Sequence, residues 1–95
     1  MSSFSYAIEA RTAWALHLVA AIAGDFEAAE ARRVEAQIMA IESGRASYDA
    51  GDARPNLVSD VPELVVKWTA RWNERARAAI PTINDLIEAA LNGKR

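Results

Sequence analysis

Residues 25–51 read DFEAAEARRVEAQIMAIESGRASYDAG, and how far a helix runs through them decides the fold. Asp25 follows Gly24 and is a good N-cap, its carboxylate able to accept from the first free backbone N–H groups. Glu27 and Glu30 fall in the opening turns, at the positive end of the helix dipole. Ala31, Val34, Ile38 and Ile41 recur at intervals of three, four and three, the spacing of an a/d seam. Gly44 is the obvious stop. A stop there leaves about fifteen structureless residues before the next helical signal, a length that compact domains seldom carry. Tyr48 continues the stripe seven residues after Ile41, and Glu42, Arg45 and Asp49 have the spacing of helical ion pairs. The helix is therefore expected to pass through Gly44 and end near Gly51, with a Tyr48 contact offsetting the roughly 1 kcal/mol that an interior glycine costs.

On the N-terminal side, residues 4–23 read as another helix, capped by Ser2, Ser3 or Ser5. Phe4, Ile8, Ala15, Leu18, Val19 and Ile22 share one apolar face. Beyond Thr12 only His17 is polar before Gly24, so this helix is apolar nearly all round. Such a helix is buried on more than one side. Either it is central and wrapped by the others, or one side meets a second subunit. The ten-residue apolar run 14–23 is too short to span a bilayer, which takes about 20 residues. Ala21-Ile22-Ala23 resembles a signal-peptidase site, but Glu9 and His17 stand against that reading.

On the C-terminal side, residues 51–59 read as a loop with Leu57 and Val58 tucked against the core. Asp60 with Glu63 has capping-box spacing, and Pro62 suits a first helical turn. The stripe that follows is Val61, Leu64, Val65, Trp68, Trp72, Ala76 and Ala79. Pro81 interrupts it by removing a backbone donor. Thr82 with Asp85 can cap a short final helix whose apolar face is Ile83, Leu86, Ile87 and Leu91, stopped by Gly93; the stripe keeps its phase across Pro81, so one kinked continuous helix is the alternative. The expected fold is all-α, a compact bundle of three long helices plus a short C-terminal helix after a Pro81 kink, in one domain covering residues 1–95.

Composition agrees. Alanine supplies 21 of 95 residues and large apolar types 28, while Gly and Pro total seven. Alanine is the best helix former. The charge is uneven: residues 25–50 carry six acids and three bases, residues 61–95 four acids and six bases. That is the pattern of two antiparallel neighbours with complementary faces. The absence of cysteine removes disulfides and thiolate chemistry and fits a reducing, cytoplasmic compartment.

No constellation for catalysis emerges. His17 is the single histidine and lies between Leu16 and Leu18, the setting of a hydrogen-bonded core or interface residue rather than a general base. Glu27 and Glu30 form an ExxE pair, but a di-iron bundle also needs Glu-x-x-His pairs, which this sequence lacks. The glycines are isolated, so no phosphate loop is present. The chain is read as a non-enzyme with no cofactor and no metal.

What is left is surface. Lys67, Arg71 and Arg75 recur every four residues beside Trp68 and Trp72. Either the rings are core and the Arg stems cover their edges, or Lys67, Arg71, Trp72 and Arg75 form a partner-binding face. Trp and Arg are enriched in interface hot spots. The expected function is a non-enzymatic protein–protein interaction module that masks or bridges a partner with an acidic surface. In size and fold class, and in nothing more specific, it is similar to small immunity-type or phage-encoded inhibitors. Alternatives are a structural subunit of a homo-oligomeric or virion assembly, with a homodimer through the first helix, and a nucleic-acid-associated regulator. The net charge of −2 argues against the last.

Overall fold

The computed structural model describes residues 2–51, 58–79 and 83–93. These form four helices, α1 (Ser3–Ile22), α2 (Phe26–Asp49), α3 (Pro62–Ala79) and α4 (Ile83–Asn92), with no strand among the described residues. The all-α fold is as the sequence implies.

Local chemistry sets the boundaries. Ser2 caps α1 by accepting from the Ser5 N–H at 3.1 Å. At the other end Gly24 takes a φ of +78°. Its N–H donates to the Ala21 carbonyl and that of Asp25 to the Ala20 carbonyl. This left-handed stop satisfies the last carbonyls of α1 and favours glycine. Asp25 then caps α2, accepting from the Ala28 N–H at 3.2 Å. Helix α2 runs unbroken through Gly44 to Asp49, and Gly51 ends it with the same φ of +78°.

The helices pack by their small residues. Helix α1 buries Ala7, Ala10 and Ala13, and α2 buries Ala29, Ala36, Ala40, Ser43, Gly44 and Ser47. This corrects two expectations. The α2 seam of Val34 and Ile38 is substantially exposed, and so is the α1 face of Phe4, Ile8, Leu18, Val19 and Ile22. Interaxial distance depends on the side chains at the contact. Two alanine-rich stripes let α1 and α2 approach closely and gain backbone as well as side-chain dispersion contacts. Large residues on those stripes would hold the helices apart. A serine clasp fixes the register: Ser3 Oγ donates to the Ser43 carbonyl at 3.0 Å, and Ser43 Oγ donates to the Ser3 carbonyl at 2.9 Å. Near the opposite end His17 Nδ1 lies 2.7 Å from the Ala29 carbonyl, so Nδ1 carries the proton. Contacts 3 to 43 and 17 to 29 make α1 and α2 antiparallel.

Helix α3 runs the other way from expectation. It contacts α2 through Glu63 with Arg33, Trp68 with Gly44, Trp72 with Tyr48 and Arg75 with Asp49. Both numbers rise together, so α2 and α3 are parallel neighbours. A short hairpin between them is therefore impossible. Gly51 lies about 20 Å along α2 from the level at which α3 starts, at 1.5 Å per helical residue. Val58, just before α3, is fully buried, as expected; Leu57 lies outside the described residues.

From Val61 to Trp72 the expected α3 stripe faces the core. Leu64 and Trp68 are buried with Val58 and the α1 and α2 alanines, and Val61, Val65, Trp72, Trp14 and Met39 pack around them. Pro62 opens α3, and the Val61 carbonyl accepts from the N–H groups of Leu64 and Val65. The expected Asp60–Glu63 capping box is not what these acids make. Asp60 pairs with Arg11 of α1, and Glu63 turns to Arg33 of α2. Pro81 and Thr82 lie outside the described residues, but α3 and α4 are separate helices on either side of them.

Helix α4 buries no residue. The molecule measures 68 × 21 × 20 Å with a radius of gyration of 18.1 Å. A globular chain of this length has a radius near 12 Å. The bundle is α1 to α3, and α4 stands off its end.

Candidate functional site

Four surfaces compete for a functional role, and their geometry differs. The first is the Trp–Arg stripe of α3. Trp68 is 3% exposed and belongs to the core. Trp72 is half-buried, its ring edge-on to Tyr48 at 5.3 Å. Arg75 reaches across to Asp49 at 2.8 Å, and Arg71 pairs with Glu74 at 2.9 Å. The Nε of Arg75 is buried without a hydrogen-bond partner among the described residues. Lys67 is exposed. The stripe thus brings Lys67, Arg71, Trp72 and Arg75 to one side of α3, but two guanidinium groups already hold carboxylates and the Trp72 ring packs inward. Residues 52–57 lie outside the described residues.

Three of the carboxylates in these cross-helix pairs are held below their ordinary range. Hydrogen bonding from Arg75 lowers Asp49, hydrogen bonding from Arg11 lowers Asp60, and hydrogen bonding from Arg33 lowers Glu63, with partial burial opposing each shift. These pairs bind helix to helix, and that reading needs no ligand.

The second surface surrounds His17. Its ring sits 4.8 Å from that of Trp14, tilted by 45°. With Nδ1 on the Ala29 carbonyl, the imidazole ties the α1–α2 hairpin together. Glu30 pairs with Arg33 at 3.1 Å. Among the described residues, no three acidic or histidine side chains group to hold a metal ion.

The third surface is the outer face of α1. Ile22 is 87% exposed, and Phe26, just across the turn, 75%. Because α3 starts level with the middle of α2, the tip of the α1–α2 hairpin has no third helix over it among the described residues. At the step lies an open groove of about 610 Å³, lined by Ile8, Thr12, Trp14, Ala15, Leu18 and Val61, with the Arg11–Asp60 pair at its rim. No helix among the described residues is long and apolar enough to cross a membrane.

The fourth surface is α4. Ile83, Leu86, Ile87 and Leu91 lie on one side, each more than half exposed, with Asp85 and Glu88 on the other. Spacings of three, one and four residues place the four side chains along one stripe of a helix. The sequence showed this apolar face, but nothing in it told that the face stays open.

No protein-family model, curated protein or solved structure matches the chain.

Proposed function

We propose that the chain is a non-enzymatic, cytoplasmic protein–protein interaction module that works through exposed apolar helix faces. The observation that carries this reading is α4, an amphipathic ten-residue helix with an apolar stripe and no burial. An isolated helix of that length is marginal in water. It holds its shape when a partner covers the stripe. Monomers rarely leave large contiguous apolar patches open, and here both α1 and α4 do so. Total accessible surface supports the same reading. It is 6437 Å², against roughly 5,400 Å² for a compact monomer of this mass. The excess of about 1,000 Å² is comparable to the ~800 Å² that each partner buries in a stable complex.

The Trp–Arg stripe supports a binding role less strongly, since both of its guanidinium groups already hold carboxylates. The reading as a structural subunit of a homo-oligomeric or virion assembly is favoured by one observation, the elongated shape with an overhanging helix at one end and a bare hairpin at the other. No observation favours a nucleic-acid partner.

The test is retention of proteins from a host extract on immobilised wild-type chain and on Leu86→Asp with Ile87→Asp. The reading predicts a defined polypeptide held by the wild type and lost by the variant. Equal retention by both chains refutes it.

A further inference from the structure

The bare hairpin and the overhanging helix complement each other. Among the described residues, the α1–α2 hairpin lacks a third helix over roughly its last ten residue pairs, about 15 Å at 1.5 Å per residue. Helix α4, ten residues long, is a third helix of about 15 Å with no hairpin beneath it. The groove opens where α3 begins, at Asp60 and Val61, and its floor is the apolar face of α1.

The groove cannot be filled by the helix of the same chain. It lies at the N-terminal end of α3, and α4 follows the C-terminal end, 18 residues later. That separation is about 27 Å. Even folded straight back along α3, α4 would cover only about 15 Å of it. A second copy meets no such limit, because it brings an α4 from outside, pointing along the hairpin.

We infer that the occupant of this groove is α4 of a second copy of the chain. Ile83, Leu86, Ile87 and Leu91 seat on Ala15, Leu18 and their neighbours, so that α4 continues the layer that α3 begins. The contact is heterologous: two different surfaces meet, and each copy carries one of each. It rests on the reading of α4 as a contact surface and specifies what covers it. An unlike pair of surfaces makes a distinctive prediction, because a chain that has lost one surface still offers the other.

The experiment is sedimentation velocity on the full chain across a concentration series up to hundreds of micromolar. Two variants accompany it, Leu86→Asp with Ile87→Asp in the stripe and Ala15→Glu with Leu18→Asp in the groove. Circular dichroism checks that each remains helical; all four positions are exposed, so the bundle is expected to tolerate them. The wild type is expected to associate. Each variant alone should associate at least about a hundredfold more weakly, as for loss of two central apolar anchors. An equimolar mixture of the two variants should regain a dimer, because the intact stripe of one meets the intact groove of the other. A wild type that stays monomeric throughout overturns the inference. So does a mixture no heavier than its components, which would mean that like surfaces pair. If the wild type is monomeric yet the stripe variant loses a protein from the extract, the second copy is wrong and the binding module stands. If neither property depends on α4, both fall.

Discussion

Replacing Gly44 by alanine should destabilise the bundle, although the same change in most helices does the reverse. Gly44 is buried in α2, and a Cβ there would overlap the main-chain carbonyl oxygen of Trp68 and come within 3.1 Å of its carbonyl carbon. The obstacle is backbone, so no rotamer change relieves it; α2 and α3 have to separate. Helix propensity favours alanine over glycine by about 1 kcal/mol. Overpacking a tight contact costs about 1–3 kcal/mol, and more where backbone must move. The difference is a net loss of up to about 2 kcal/mol, or more if the Tyr48–Trp72 and Asp49–Arg75 contacts loosen together. In a domain of this size 1 kcal/mol corresponds to about 4–8 °C in Tm. Urea titration and thermal melting followed by circular dichroism measure the change, and tryptophan emission reports whether Trp68 becomes wetter. A rise in Tm for Gly44→Ala would refute the close α2–α3 contact and return Gly44 to the ordinary case of an interior helical glycine.

Other outcomes follow from the same packing. Ser43→Ala removes the donor to the Ser3 carbonyl and one side of the clasp, and should cost about 1–2 kcal/mol by denaturant titration; an unchanged midpoint would show that the clasp contributes nothing. Leu64→Ala should cost about 2–5 kcal/mol, because Leu64 is fully buried. By contrast Ile22→Ala should stay within about 0.5 kcal/mol in the monomer, and comparable losses at the two sites would mean that α1 faces the core with its large residues. Asp49, Asp60 and Glu63 ionise more readily in the folded chain than in the unfolded one. Their stabilisation is therefore complete above the ordinary carboxylate range and is lost as pH falls below about 4 toward the lower folded values. The Tm should drop across that window, and Glu63→Gln should make the drop shallower; a parallel acid profile for the variant would show that Arg33 does not hold Glu63.

Much of the fold was legible in the residues that end helices. Gly24 with Asp25, and Gly51, mark their boundaries because a left-handed φ and a free carboxylate are local requirements. The continuity of α2 through Gly44 was also legible, through Tyr48 and the spacing of Glu42, Arg45 and Asp49. What the sequence hid was which face turns inward. Hydrophobic periodicity weights Val34, Ile38, Leu18 and Ile22 above alanine, whereas close helix packing selects Ala36, Ala40, Ala7 and Ala10. The alanine and serine positions had a seam spacing of their own, and reading size together with polarity could have found it. The direction of α3 was hidden for a related reason: uneven charge says that α2 and α3 are neighbours, but Arg33–Glu63 and Arg75–Asp49 are needed together to show that they are parallel. Of the site, the apolar face of α4 was visible and its isolation was not, because isolation is a property of where α3 ends.

The central claim is that the exposed apolar faces of α1 and α4, Trp14 apart, lie outside the monomer's core and are covered by a protein partner. Amide hydrogen exchange across α4, followed over a concentration series with the mass of the protein measured in parallel, tests it most directly. The account predicts that the amides of residues 86–91 exchange nearly as fast as those of a free peptide where the chain is monomeric, and slow down when the partner surface is supplied. Strong protection of those amides in a chain shown to be monomeric would contradict it, because α4 would then be packed within its own fold.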